Sequence, residues 1–107
     1  MASFKLDGTG TSGTLAFAGQ CTIEHAEAMK KALTEALERF EELDLDMSAV
    51  EGADLSFLQL VVAAQVEMGK RGRSLSASRG TPPVVADLAD QAGMSLGSYE
   101  QCFWKKG

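Results

Sequence analysis

The chain has 107 residues, of which 45% are hydrophobic and 23% charged, and it carries a net charge of −5. This length suits one domain with one hydrophobic core, and the composition excludes an intrinsically disordered chain. The negative charge argues against nucleic acid and anionic membrane surfaces as partners, because both repel an acidic protein.

The first predicted elements are the two strands of a hairpin. Residues 4–7 and 14–20 alternate apolar and polar side chains, as half-buried strands do. Residues 8–13 between them match Gly-x-Gly-x-x-Gly, a pattern that in dinucleotide-binding proteins opens a helix. Because the residues after Gly13 have the alternation of a strand, we predict a hairpin loop here and not a nucleotide site.

A first helix is predicted between Thr22 and Phe40, where apolar residues recur at spacings of three and four. This spacing places Ile23 and Ala26 on the buried face. Thr22 has the side chain of an N-cap, whose oxygen can accept from an amide of the first turn. His25 falls in that turn away from the apolar face, and we expect it on the surface.

A short buried strand is predicted over residues 43–47, followed by a loop over residues 48–53. Asp44 and Asp46 alternate with the apolar residues and so point to one face of the sheet. Two carboxylates on one face could form a catalytic pair or a magnesium site. Because no second cluster of acids or bases is close in sequence, we predict that both instead face solvent.

A second helix begins close to Asp54 and is predicted to end near Gly69 or Gly72, with a wide apolar side that indicates deep burial. Ser56 and Gln59 have the spacing of a capping box, in which each side chain bonds an amide at the helix start. Asp54 is the other candidate cap. Free amides and the helix dipole also make this end a natural place for a phosphate group.

The remaining elements are a weak strand over residues 74–77 and a third helix. Thr81 is predicted to cap that helix, with Pro82 at its first position and its end near Gly93. Residues 94–107 show no clear period. The order β-β-α-β-α-β-α predicts an α/β fold with a mixed sheet and helices covering at least one face.

Metal and membrane functions find little support in the residues. Cys21 and Cys102 lie far apart, and with His25 as the single histidine they lack the spacing of a metal site, so we expect free thiols and no bound metal. The chain has no apolar run of about 20 residues and no leader-like start, which predicts a cytoplasmic protein without membrane insertion.

Several segments together resemble the STAS family, which includes anti-sigma factor antagonists and the cytoplasmic tails of sulfate transporters. Residues 14–23 resemble the second strand of that family and residues 43–47 its central strand. The sequence Asp-Leu-Ser-Phe-Leu at residues 54–58 stands where the family usually has Asp-Ser-Ser-Gly-Leu or Asp-Thr-Ala-Gly-Leu. The likeness covers about residues 4–93, which leaves residues 94–107 as a C-terminal extension of the single domain 1–107.

The resemblance implies a four- to five-stranded mixed sheet with helices mainly on one side, no catalytic activity and no cofactor. It also implies a protein partner, a GHKL-type serine kinase that doubles as an anti-sigma factor and is released when the helix start is phosphorylated. Leu55 occupies the place of the phosphorylated residue and Phe57 that of a small glycine. Ser56 lies one position further and differs by about 100° in direction, so the resemblance implies a weakened or absent phosphoswitch.

The predicted function is therefore regulation by partner binding, as in an anti-anti-sigma factor. Two alternatives remain open, the small STAS subunit of an ABC-type lipid transport complex, whose partner is the ATPase subunit, and an adaptor of a chemotaxis cluster. The oligomeric state is also open. The predicted partner-binding residues, with Ser56 as the candidate phosphorylation site, are Ser48, Glu51, Asp54, Leu55, Ser56 and Phe57.

Overall fold

The computed structural model describes residues 2–91, which form a four-stranded sheet and three helices. The elements are β1 (Ala2–Thr9), β2 (Ser12–Cys21), a one-turn 3₁₀ helix (Ile23–His25), α1 (Ala26–Arg39), β3 (Glu42–Ala53), α2 (Leu55–Lys70), β4 (Ser74–Ser76) and α3 (Pro83–Gln91). The strand order is β1-β2-β3-β4, with β1 antiparallel to β2 and the other neighbours parallel. The predicted α/β fold with a mixed sheet is confirmed. The predictions for Gly93, Cys102 and residues 94–107 lie outside the described residues.

The glycine-rich stretch is a tight hairpin, and a strand follows Gly13 as predicted. The strands are longer than expected, because only Gly10 and Thr11 form the turn, with Gly10 at φ 61°. A Cβ atom on Gly13 would lie 2.4 Å from Cδ2 of Phe40, and one on Gly8 would lie 2.8 Å from Cε1 of the same ring. The glycines therefore serve to let the buried Phe40 ring pack against the hairpin backbone.

The core lies between the helices and one face of the sheet. Alternate strand residues fill it, and their neighbours Asp44 and Asp46 lie on the opposite, open face. Phe57 of α2 is fully buried and meets the ring of Phe17 edge to face, with centroids 5.4 Å apart. The strand side chains of this core are Phe4, Leu6, Leu15, Phe17, Cys21, Leu43, Leu45, Met47, Val50, Ala53 and Leu75.

Helix α1 begins at Ala26, four residues after the predicted cap. The Thr22 carbonyl accepts from the amide of His25 at 2.8 Å, which closes a 3₁₀ turn, and the Thr22 side chain makes no capping bond. This turn directs Ile23 outward, and its side chain is 67% exposed. Both the Thr22 cap and the place of Ile23 on the buried helix face were wrong, because the chain completes a separate turn first.

Strand β3 continues to Ala53, so the loop predicted at residues 48–53 is wrong. The chain stays extended because β3 remains paired with β2 up to Ala53. Ala16 of β2 pairs with Asp46, whereas Ala18 pairs with Ala49, so β3 has one extra residue between these two pairs. A second shift of the pairing follows Gly19. At the first shift, Asp46 Oδ1 accepts from the amide of Ser48 at 3.0 Å and from its hydroxyl at 2.6 Å. This local bond stabilises the extra residue of a β-bulge.

Helix α2 ends where the sequence predicts. Gly72 has φ 67°, its amide donates to Gly69 at 3.1 Å, and the amide of Arg73 donates to the Met68 carbonyl at 2.8 Å. These two bonds form a Schellman motif, for which a glycine at this position is favourable.

Helix α3 begins one residue later than predicted, at Pro83. The carbonyl of Pro82 accepts from the amides of Val85 and Ala86 at 3.0 and 2.9 Å, so Pro82 takes the cap position predicted for Thr81. Thr81 lies just before it and is 1% exposed. Within residues 2–91, no helix is both long and apolar enough to cross a membrane.

The Phe17–Phe57 contact generates a stability prediction. Phe57→Ala should lower the free energy of unfolding by about 3–5 kcal/mol, because it removes a buried ring and leaves a cavity. Val66→Ala on the exposed side of the same helix should change it by less than about 0.5 kcal/mol. Urea unfolding followed by circular dichroism measures both. Equal effects of the two substitutions would contradict the central packing of Phe57.

Candidate functional site

The Asp54 carboxylate joins two segments at the ends of β2 and β3. As N-cap of α2, its Oδ1 accepts from the Ser56 amide at 3.1 Å and from the Ser56 hydroxyl. Its Oδ2 accepts from the amide of Ile23 at 2.9 Å, in the 3₁₀ turn after β2. We call the surface formed by Ile23, Asp54, Leu55 and Ser56 the α2 tip. One side chain therefore fixes the relative position of both loops in the α2 tip.

These hydrogen bonds also hold Asp54 in its ionised form. Partial desolvation raises its pKa, but bonds from the Ser56 hydroxyl and from the amides of Ile23, Ser56 and Phe57 outweigh that effect. The net result is a pKa below the ordinary value of an aspartate, because the donors stabilise the charged form. The carboxylate is thus occupied by its own chain at neutral pH.

The helix start differs from the capping box predicted for Ser56 and Gln59. Leu55 is the first helical residue, so Ser56 is the second and cannot be the N-cap. The Ser56 hydroxyl donates to Asp54 instead of accepting from a helix amide, and Gln59 is exposed. The alternative cap, Asp54, is confirmed, because its carboxylate reaches the second amide of the helix.

Two large apolar side chains stand in solvent at the α2 tip. Leu55 is 48% exposed and Ile23 is 67% exposed. Among the large hydrophobic residues that the structure describes, Ile23 has the highest exposed fraction. Sequence reasoning missed Ile23 because its spacing from Ala26 also fits a buried helix face. Its position three residues after the predicted strand end at residue 20 is a signal that could have identified it.

The other predicted partner-binding residues are not all at the α2 tip. Phe57 must be corrected, because its ring is buried against Phe17 and cannot reach a partner. Ser48 is exposed and bonds to Asp46, and it lies six residues before Asp54, which corresponds to at most about 20 Å along an extended strand. Glu51 is exposed on β3, three residues before Asp54.

The paired aspartates have structural partners on the open face. Asp44 accepts from the hydroxyls of Ser76 and Ser78 at 3.1 and 2.8 Å, and from the Ser78 amide at 2.7 Å. Asp46 lies 3.4 Å from Arg79, and its pKa is lowered mainly by the Ser48 hydroxyl bond. Both carboxylates therefore anchor the chain after β4 to the sheet.

Neither the thiol nor the acidic groups indicate a reactive centre. Cys21 is a free, fully buried thiol, and burial raises its pKa to about 11, which disfavours the nucleophilic thiolate. His25 is partly exposed in the 3₁₀ turn. Among residues 2–91, no group of three or more histidine, cysteine, aspartate or glutamate side chains is placed to hold a metal ion.

The sequence matches one protein-family model, described as "Mlab, STAS domain", over residues 4–96. This range extends from the third residue of β1 through α3 and includes the whole α2 tip. No curated protein sequence gave a significant match.

Solved structures with a similar fold include antagonists of anti-sigma factors. An anti-sigma factor antagonist from Mycobacterium paratuberculosis superposes with a TM-score of 0.73 at 18% identity, covering 89% of this chain and 80% of that one. The unphosphorylated form of the antagonist SpoIIAA gives 0.69 at 13% identity, covering 86% and 82%. The phosphorylated form of the Bacillus cell fate determinant SpoIIAA gives 0.68 at 14%, covering 87% and 86%. At these identities the likeness concerns the fold.

The bonds of Asp54 generate a pH-dependent prediction. Asp54→Ala should lower the free energy of unfolding at pH 7 by about 1–2 kcal/mol, because the helix loses its cap. The pKa of Asp54 is lower in the folded protein, so its ionised form stabilises the fold above the unfolded pKa of about 4, and this contribution is lost as the pH falls.

Urea unfolding at pH 7, 5 and 3.5 tests this expectation. The difference between wild type and Asp54→Ala should narrow from pH 5 to pH 3.5, whereas Glu35→Gln on the exposed side of α1 should give a small difference throughout. A difference that stays constant or grows toward acid would contradict an ionised Asp54 cap.

Proposed function

Because the chain belongs to the STAS domain family, we propose that it is a non-catalytic protein-interaction domain of bacterial regulation. In this proposal it acts as an anti-anti-sigma component that binds a GHKL-type serine kinase serving as anti-sigma factor in the cytoplasm. The observation that carries the proposal is the exposure of Ile23 and Leu55 on the two segments that Asp54 joins. A rigid apolar tip of this kind is a docking feature and not a catalytic one.

The physical case for docking rests on apolar area and rigidity. Each exposed aliphatic side chain gains about 25 cal/mol for every Å² of apolar surface that a partner covers. The bonds of Asp54 hold both segments in place before binding, so little entropy is lost when the partner arrives. Glu51 is an exposed charge on β3, three residues before Asp54, and charged residues of this kind suit the polar rim of an interface.

The buried position of Phe57 removes one objection to this surface. A phenylalanine in place of the family's glycine would block a partner if its ring pointed outward. The ring instead lies in the core against Phe17, while Leu55, two positions earlier, points outward. The partner therefore meets Leu55 and not Phe57.

We further propose that binding is not switched by phosphate on the α2 tip. Leu55 has no hydroxyl, and the Ser56 hydroxyl donates to the Asp54 carboxylate. A phosphoryl group on Ser56 would remove this donor and place a charge of about −2 next to an ionised carboxylate. Repulsion would then oppose the cap that positions the tip.

A second candidate function is the small STAS subunit of an ABC-type lipid transport complex, docked on the ATPase subunit. The leucine at position 55 favours this candidate, since a structural subunit needs no phosphorylated residue. Purification of the protein with its native partner separates the two functions. A GHKL-type kinase would support the first, and an ATP-binding transport subunit the second.

The docking surface predicts the effect of charge at Leu55. The partner found by co-purification can be used in calorimetry. Leu55→Glu should raise the dissociation constant of the complex with that partner at least about tenfold, because it puts a charge into an apolar contact. Glutamate is favourable in the first turn of a helix, so the fold should be retained.

Val66→Glu is the matched control, since Val66 is a partly exposed aliphatic residue on the same helix, three turns from the tip. It should change the dissociation constant by less than about twofold. A strong effect of Val66→Glu together with no effect of Leu55→Glu would place the interface elsewhere.

The phosphorylation proposal has its own test. Incubation with the co-purifying kinase and ATP should leave the intact mass of the protein unchanged, and Ser56→Ala should behave like wild type. A mass increase of one phosphate that disappears in Ser56→Ala would show that the switch is present.

A further inference from the structure

Strand β1 forms one edge of the sheet, and its outer side is unpaired within the described part of the chain. It pairs with β2 in an unbroken register from Ala2 to Thr9 and contains neither proline nor a bulge. Such a regular edge presents a row of free backbone donors and acceptors, which readily pair with another strand. The order of the sheet places β2 between this edge and β3, away from the α2 tip.

The side chains of β1 divide cleanly between the two faces of the sheet. Phe4 and Leu6 are half-buried on the packed face, opposite Phe17 and Leu15 of β2. Lys5 and Asp7 are exposed on the open face, and within residues 2–91 neither forms a salt bridge. The strand thus offers one positive and one negative charge, two residues apart and pointing the same way.

We infer that β1 pairs antiparallel with β1 of a second copy of this chain, around a two-fold axis through Leu6. In this register Leu6 faces its own copy, and Lys5 lies opposite Asp7 of the partner subunit. Symmetry repeats the pair, so the dimer gains two cross-strand pairs of opposite charge on the open face. Directly opposed charges of this kind stabilise an antiparallel pair of strands.

The charges select this register over its neighbours. A shift of two residues one way places Lys5 opposite Lys5 of the partner subunit, and a shift the other way places Asp7 opposite Asp7 of the partner subunit. Like charges directly opposite each other are destabilising. A shift of one residue would set the packed face of one strand against the open face of the other, because the side-chain period is two.

Pairing of one short strand on each side gives a small interface. It is expected to fall below the roughly 1,000 Å² of a stable complex, so the dissociation constant should lie at about 0.1 to 1 mM. Sedimentation velocity of the full chain from about 20 μM to 2 mM should show the mass rising from 11.3 kDa toward the dimer.

Charge substitutions test the register directly. Lys5→Glu and Asp7→Lys each create two like-charge pairs, and each should raise the dissociation constant of the dimer at least about tenfold. The double variant Lys5→Glu/Asp7→Lys reverses both charges, so its dissociation constant should return to within about twofold of the wild-type value. Lys31→Glu and Glu35→Lys on the exposed side of α1 make the same changes in net charge and should leave the dimer intact. Thermal unfolding confirms that each variant is folded.

Three results would overturn the inference. The first is a wild-type protein that stays monomeric up to 2 mM. The second is a dimer that survives the single variants, or one that the double variant does not restore, since either places the contact elsewhere. The third is protection of the outer β1 amides in hydrogen exchange that does not depend on protein concentration, which would mean that the chain covers its own edge.

Discussion

The Asp54 carboxylate is the contact on which the shape of the candidate site depends. It accepts from the first turn of α2 and from the amide of Ile23 after β2, so it connects the ends of two neighbouring parallel strands. Because the bonding donors surround the carboxylate, its charge is satisfied within the chain, and the apolar side chains beside it dominate the outer surface.

At the α2 tip, helix geometry gives two apolar residues that lie two positions apart different surroundings. Successive helix residues differ by about 100° in direction, so Leu55 and Phe57 point to opposite sides of the helix start. Phe57 completes the core with Phe17, and Leu55 is left in solvent. The same segment thus contributes one residue to the core and one residue to the surface proposed for docking. In the proposed docking, Leu55 and Ile23 would provide contact area, whereas the Ser56 hydroxyl bonds to the Asp54 cap.

The sheet separates the two proposed interaction surfaces. The α2 tip lies where β2 and β3 end, whereas the β1 edge lies on the far side of β2. A partner on the tip and a second copy on the edge would therefore use different residues. A weak dimer would double the number of docking tips on one particle, and this would increase the apparent affinity for any partner that itself presents two sites.

Local patterns in the sequence determined most of the fold. Alternation predicted β1 and β2, spacings of three and four predicted α1 and α2, and Gly72 marked the end of α2. The departures came where a contact distant in sequence decides. The glycines at positions 8 and 13 are needed because Phe40 packs on them, and β3 extends to Ala53 because β2 pairs with it across two bulges.

The candidate site divides in the same way. The sequence alone offered Asp54 as one of two candidate caps and showed Leu55 as a residue without a hydroxyl, since both are properties of the local chain. Only the tertiary structure decided that Ile23 joins Asp54 at the tip, that Phe57 is buried and that Ser48 lies within β3 and bonds to Asp46. These outcomes depend on which strand lies beside which, and no pattern of neighbouring residues carries that information.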